Sequence, residues 1–356
     1  MKLLYISGTY YPAAGGAEIS MHTFLKEAIR NDHKVLVATN LERSGSNGKI
    51  VNYEGVSVVG VDHDSRISKL DELITLYQPD KILTQLMWSD VALKLANDKN
   101  IDSVLRFCKV PSFLDITKDS ETCPSDIIVV SEFVRDYVFQ NWQRESVVIP
   151  PPIELKKIRC SRNSPRYITM FNPNMKKGGA IFREVAIGMP KYEFAVVRGW
   201  DVLKEGNKID TKIVQRLCDS LRIQYTGQNL DDVDFEGVHN VTQFSYTSNV
   251  SDIYAETRIL CVPSQWQEAF GRVCIEGMAN GIPVIGSDVG GLAEVVRAGG
   301  ILINDFMNPN EWVKELKKLD NPEEYERIVK RGRLYVENNY DYSAICNTFF
   351  KMLGEK

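Results

Sequence analysis

Short apolar runs alternate with helical patterns along this whole chain, and the alternation restarts after three consecutive prolines. KLLYIS (2–7), KVLVAT (34–39), KILTQ (81–85), SVLRFC (103–108) and DIIVVS (126–131) have the length and apolar continuity of strands buried on both faces. Between them lie helical patterns such as AEISMHTFLKEAIR, with Ile19, Phe24, Leu25 and Ala28 at helical spacing. That alternation predicts a doubly wound parallel sheet. SVVIPPPIE then interrupts it, because Pro150 to Pro152 continue neither strand nor helix and favour a stiff extended connection. The rhythm resumes in RYITMF (166–171), EFAVVRG (193–199), RILCV (258–262), IPVIGS (282–287) and GILIN (300–304). Two α/β domains are therefore expected, over residues 1–150 and 151–340. The tail reads as helix from about Pro322 with a break near Asp341, and its last segment, about 341–356, is expected to pack back on one of the two halves. Ligands of such folds lie at the carboxyl ends of the strands and between domains.

Composition narrows the classes of partner. With 356 residues, 44% of them hydrophobic and 25% charged, the chain is an ordinary globular one, and a net charge of −4 gives no field for a polyanion. Seven cysteines without a CxxC pair read as reduced core thiols of a reducing compartment. The four histidines never stand at metal-ligand spacing, which argues against zinc. The apolar start before Gly8 is too short for a signal peptide, and no run has the length of a membrane span. FVRDYVFQNWQR offers Phe133, Val134, Tyr137, Val138 and Trp142 to a core rather than to a membrane face. The expected location is cytoplasmic, at most peripheral at the inner face of a membrane.

Three loops follow strands and open helices. TYYPAAGGAE carries Gly15 and Gly16, which allow close backbone approach, and helix-start N–H groups favour an anion. Chain reversal alone also explains it. MFNPNMKKGG places Lys176 and Lys177 beside Gly178 and Gly179, a combination that suits phosphate but also suits a solvated loop. PSQWQEAFGRVCIEGMANGIPVIGSDVGG puts Glu268 in a loop and Glu276 among Val273, Cys274, Ile275, Met278 and Ala279. On residue chemistry alone Glu276 either reaches solvent past small neighbours or awaits hydrogen-bond donors, since a bare buried carboxylate costs several kcal/mol.

Taken together, EAFGRVCIEGMANGIPVIGSDVGGLAE resembles the signature of the retaining, family-four glycosyltransferases of the GT-B fold. Two glutamates with seven residues between them, Glu268 and Glu276, carry the likeness, with PAAGGAE, KKGG and VVIPPPIE in the same order as that family's glycine loop, lysine loop and linker. The resemblance implies two Rossmann-like domains facing across a cleft, the first for the acceptor and the second for a nucleotide-sugar donor. It implies that Glu276 takes the ribose hydroxyls, that Glu268 contacts the donor sugar, and that Lys177 neutralises the diphosphate. Backbone N–H groups of Phe270, Gly271, Arg272 and Val273, and of Gly15 and Gly16, would assist it. The implied reaction moves a sugar, from a UDP-sugar by preference or a GDP-sugar, to a glycan, lipid-linked or small-molecule hydroxyl with retention and without metal or cofactor. Cell-surface glycan synthesis is the expected setting.

Two departures stand out. Relatives carry an arginine where this chain has Asn172, leaving Arg198 or Arg272 to supply the second cation. Gln85 and Arg106 stand where relatives show acceptor-facing histidines. Asn172 favours an alternative, a sugar-nucleotide binding or scaffold protein with impaired turnover; Glu268, Glu276 and Lys177 speak against it. Asp62-His63-Asp64 and Asp232-Val233-Asp234 match the Asp-x-Asp of metal-dependent transferases only as often as chance allows. A nicotinamide enzyme would need a glycine spacing that the first loop lacks.

Overall fold

A computed structural model describes residues 1–12, 15–41, 49–110, 112, 114–162, 164–199, 233–247 and 249–354. The chain divides into two compact units, Met1–Ile153 with Tyr342–Lys356, and Glu154–Asp341.

The first unit holds β1 (Lys2–Ile6), β2 (Lys34–Asn40), β3 (Ile50–Tyr53), β4 (Val56–Val61), β5 (Lys81–Thr84), β6 (Asp102–Phe107), β7 (Asp126–Val129) and β8 (Val147–Val148). They form one sheet in the order β3-β4-β2-β1-β5-β6-β7-β8, parallel except for the β3–β4 hairpin. Sequence periodicity anticipates the parallel strands of the centre but not that hairpin, whose β3 residues alternate between exposed and half-buried. Leu4, Ile6, Leu36, Ala38 and Ile82 bury one face against Leu70, Ile74, Ala92 and Leu95 of the helices Arg66–Tyr77 and Ser89–Asp98. Against a further helix of the first unit, Gly16–Arg30, the terminal helix Tyr342–Met352 lies with Phe24 and Phe349 stacked at 4.2 Å. The helix Glu132–Trp142 buries Val134 and Val138 as expected, whereas Phe133, Tyr137 and Trp142 are half-buried, the last two against Phe107.

The second unit holds β9 (Tyr167–Phe171), β10 (Phe194–Val197), β11 (Val241–Phe244), β12 (Thr257–Val262), β13 (Val284–Ser287) and β14 (Ile301–Ile303). Its sheet is parallel throughout, in the order β11-β10-β9-β12-β13-β14. Strand order reverses between β9 and β12, and the crevice outside the carboxyl ends of two such strands is where ligands bind in open α/β sheets. The loops after these two strands are the lysine loop and the loop bearing Glu268.

Buried phenols give the fold a pH signature. Burial, as the leading cause in each case, raises the ionisation of Tyr5, Tyr10, Tyr254 and Tyr340 above the ordinary tyrosine value. A group neutral in the fold but ionisable near pH 10 when unfolded contributes full stability below that pH and loses it above. The urea midpoint is expected to hold from about pH 8 to about pH 9.5 and to fall at higher pH. Absorbance at 295 nm should show a delayed group of tyrosines ionising together with loss of circular dichroism. A single unhindered titration with the fold intact would contradict the burial.

Candidate active site

The lysine loop is shaped by its backbone. Asn172 adopts a left-handed conformation (φ 58°), which asparagine tolerates better than most residues. Its N–H donates to Val197 O at 2.7 Å, and its Oδ1 accepts from Asn174 Nδ2 at 3.1 Å. Asn174 Oδ1 in turn accepts from the Lys177 N–H at 2.9 Å. Asn172, expected among the donor-binding residues, is placed as the residue that turns this loop. Gly178 has φ +83°, and a Cβ there would overlap the Pro263 carbonyl oxygen. The Gln265 N–H donates to Lys176 O at 2.8 Å, and Lys176 Nζ stands 4.4 Å from the Trp266 ring centroid. These contacts clamp the lysine loop onto the loop after β12.

That clamp brings the expected cation and carboxylate together. Lys177 Nζ donates to Glu268 Oε1 at 2.5 Å, and Ser264 Oγ donates to the same oxygen at 2.7 Å. The loop after β13 joins them, because the Gly291 N–H donates to Glu268 O at 2.7 Å. A Cβ on Gly290, itself at φ +55°, would stand 2.6 Å from that carbonyl oxygen, so the glycine pair of DVGG is what allows the approach.

Glu276 has partners of its own. It lies in the helix Arg272–Ala279, 7% exposed. Its Oε1 accepts from Arg272 Nε at 2.6 Å and its Oε2 from the Tyr254 hydroxyl at 2.8 Å. Solvent reach therefore does not describe it, and two of the awaited hydrogen-bond donors are in place. Tyr254, wholly buried on the helix Val250–Glu256, is a residue that motif reading misses. Its only sequence signal is a tyrosine near a strand start, and its ionisation is pushed far up by burial and then by the Glu276 charge. Arg272 is thus paired with Glu276.

The helix bearing Glu276 starts at Gly271 (φ +117°) with no side-chain cap. First-turn N–H groups have no partner within a helix and carry a partial positive charge. Phe270 is buried edge-on to Tyr340 at 5.9 Å, and Val273 is half-buried in that first turn. Arg198 donates from Nη2 to Gln243 Oε1 at 3.0 Å on the edge strand β11.

The expected sites of the first unit look different. The Gly15 N–H donates to Glu18 Oε2 at 3.0 Å, and Thr9 Oγ1 donates to Glu18 Oε1 at 2.8 Å. An internal carboxylate therefore takes the Gly15 amide, and Gly16 opens the helix behind it. Gln85 and Arg106 are buried side by side, with Arg106 Nη1 donating to Gln85 Oε1 at 3.0 Å. Gln85 Nε2 is buried without a hydrogen-bond partner among the described residues.

Among the described residues no group of three or more His, Cys, Asp or Glu side chains could hold a metal ion. Asp62 folds onto its own loop, accepting from the Asp64 N–H at 3.0 Å, and Asp232 lies outside the described residues. Among the cysteines, Cys261, Cys274 and Cys346 are buried, whereas Cys108, Cys123 and Cys160 are half-buried; these six form no disulfide, and Cys218 lies outside the described residues. No described helix is long and apolar enough to cross a membrane.

Residues 230–335 match the family model "Glycosyl transferases group 1". The chain is 24% identical over 352 residues to the uncharacterized glycosyltransferase MJ1178 of Methanocaldococcus jannaschii, covering 92% of this chain and 91% of the relative. It is 32% identical over 113 residues to spore coat protein SA of Bacillus subtilis, a stretch spanning 31% of this chain and only 30% of that relative. Among solved structures, Anabaena Alr3699/HepE in complex with UDP and glucose superposes with a TM-score of 0.76 at 17% identity, covering 100% of both chains. The fold is GT-B, two Rossmann-like parallel-sheet units, as expected from the sequence.

Proposed function

We propose that this chain is a retaining glycosyltransferase of family four that moves a hexosyl group from a nucleoside-diphosphate sugar to an acceptor hydroxyl. The observation that carries this reading is the convergence at one sheet end of Lys177, Glu268 and an uncapped helix start, with buried Glu276 one helical turn behind. The group 1 match over the same segment supports it, and the UDP and glucose bound by the Anabaena protein favour a UDP-sugar over a GDP-sugar.

In this reading the bond from the anomeric carbon to the diphosphate oxygen breaks, and the acceptor oxygen bonds that carbon from the same face. The acceptor proton leaves with the departing phosphate oxygen. Negative charge grows on the diphosphate, where Lys177 and the N–H groups of Gly271 to Val273 stabilise it, without metal. Glu268 orients the sugar hydroxyls. Glu276 has two lone-pair positions left beyond Arg272 and Tyr254, and these take the ribose hydroxyls. Arg198 adds charge from the β10 end, and Gln85 and Arg106 belong to the acceptor side. A cytoplasmic enzyme of glycan assembly fits this chemistry.

A thermal-shift panel of UDP, GDP, ADP and CDP, each with and without EDTA, tests the reading. A diphosphate at a hundred times its dissociation constant adds about 2.7 kcal/mol. UDP is expected to stabilise the wild type despite EDTA, and Glu276→Ala to lose most of that shift. NMR of the product's anomeric centre then reads retention. Should no diphosphate shift the transition, the scaffold reading suggested by Asn172 takes precedence.

A further inference from the structure

We propose that Tyr254 is a positioning residue for nucleotide recognition, its hydroxyl fixing the Glu276 carboxylate so that the remaining lone pairs meet the two ribose hydroxyls of a nucleoside diphosphate. The inference rests on the donor reading above and adds to it a residue outside every motif. A glutamate has three side-chain torsions, and one donor leaves its carboxylate able to rotate. Here the two oxygens are held from opposite origins. Arg272, one turn earlier on the same helix, donates to Oε1 at 2.6 Å, while Tyr254, from a different helix, donates to Oε2 at 2.8 Å. Tyr254 is itself immobilised, with no exposed surface and its ring 5.4 Å from Phe171 at the end of β9, directly before the lysine loop. Its helix runs straight into β12 at Thr257. The carboxylate plane is thereby referenced to the strand that launches the diphosphate-binding loop. Packing alone would be served by phenylalanine; a buried hydroxyl is favourable here only because it meets a charged acceptor.

The test is calorimetric binding of UDP and of 2′,3′-dideoxy-UDP to the wild type and to Tyr254→Phe. The variant is expected to bind UDP about tenfold more weakly and to bind the dideoxy compound as the wild type does. Equal weakening of both ligands, or of neither, would overturn the proposal. In the Glu276→Ala background, Tyr254→Phe is expected to change UDP affinity by less than twofold, and a further tenfold loss there would also overturn it. Circular dichroism of each variant confirms the fold before binding is read, and a wild type that binds the dideoxy compound as tightly as UDP would overturn the proposal without any variant. A wild type that binds no UDP would sink the donor reading and the proposal with it, whereas UDP binding insensitive to Tyr254→Phe would sink the proposal alone.

Discussion

Lys177→Ala is expected to lower turnover by about a hundred- to thousandfold, the range found when one preorganised donor to a developing anion is removed. Lys177 is the described cation whose ammonium reaches Glu268 at the carboxyl end of the sheet, since Arg272 is bonded to Glu276 and Arg198 to Gln243. Asn172 contributes no charge, so Lys177 should carry more of the diphosphate's charge than it would beside a second basic residue in the same loop. The effect should fall mainly on kcat, because charge on the leaving group grows toward the transition state. Stability should fall as well, because Glu268, only 14% exposed, loses the cation that offsets its charge. Steady-state kinetics with a UDP-sugar, alongside the thermal midpoint, separates the two effects. A kcat within tenfold of wild type would place the leaving-group stabilisation elsewhere, with the N–H groups of Gly271 to Val273 as the next candidates.

Gly178→Ala is expected to be the most damaging single-methyl substitution among the described loop residues of the site. Two independent penalties coincide there. The backbone is at φ +83°, and the added Cβ would overlap a backbone carbonyl, that of Pro263, which has no rotamer with which to yield. A loss of about 4 kcal/mol follows, equivalent to roughly 8–16 °C in Tm for a unit of this size. Relief requires the lysine loop to leave the loop after β12, which separates Lys177 from Glu268, so activity should fall with stability. Gly237→Ala isolates the conformational part: φ is +78° and nothing lies within 4 Å of the added methyl. That variant should lose only about 1 kcal/mol and retain activity. Equal Tm losses in the two variants would show that the backbone angle, not the close approach, dominates.

Much of this arrangement is legible in the sequence because its physics is local. Parallel strands buried on both faces leave continuous apolar runs, and nearly every strand of the two sheet centres reads that way. Edge strands leave weaker traces: β3 and β11 mix exposed and half-buried residues, and neither stands out by periodicity. Within the site, glycine motifs and glutamate spacing are legible because close backbone approach and helix starts require particular residues at particular offsets. What holds Glu276 is not legible in the same way. Arg272 stands at i−4 of the same helix, but nothing in the residue string says that it turns inward. Tyr254 reaches the carboxylate from 22 positions upstream. Asn172 shows the converse. Its departure from the family pattern reads as a lost charge, whereas the backbone shows a residue suited to a left-handed turn.

The pairing of Lys177 with Glu268 and of Arg272 with Glu276 also bears on what the site refuses. Each of these cations already has a carboxylate counter-ion in the resting protein, so Lys177 and Arg272 present two balanced pairs rather than two bare charges. A bare inorganic phosphate gains little by displacing an attached carboxylate, which is present at high effective concentration and loses no translational freedom. On the proposed donor reading, a nucleotide sugar would bring sugar hydroxyls to Glu268 as its diphosphate takes the lysine, and ribose hydroxyls to the remaining lone pairs of Glu276. On that reading entry is an exchange of partners, and a ligand that carries both kinds of group is the one that leaves no charge stranded, which predicts weak competition by small anions.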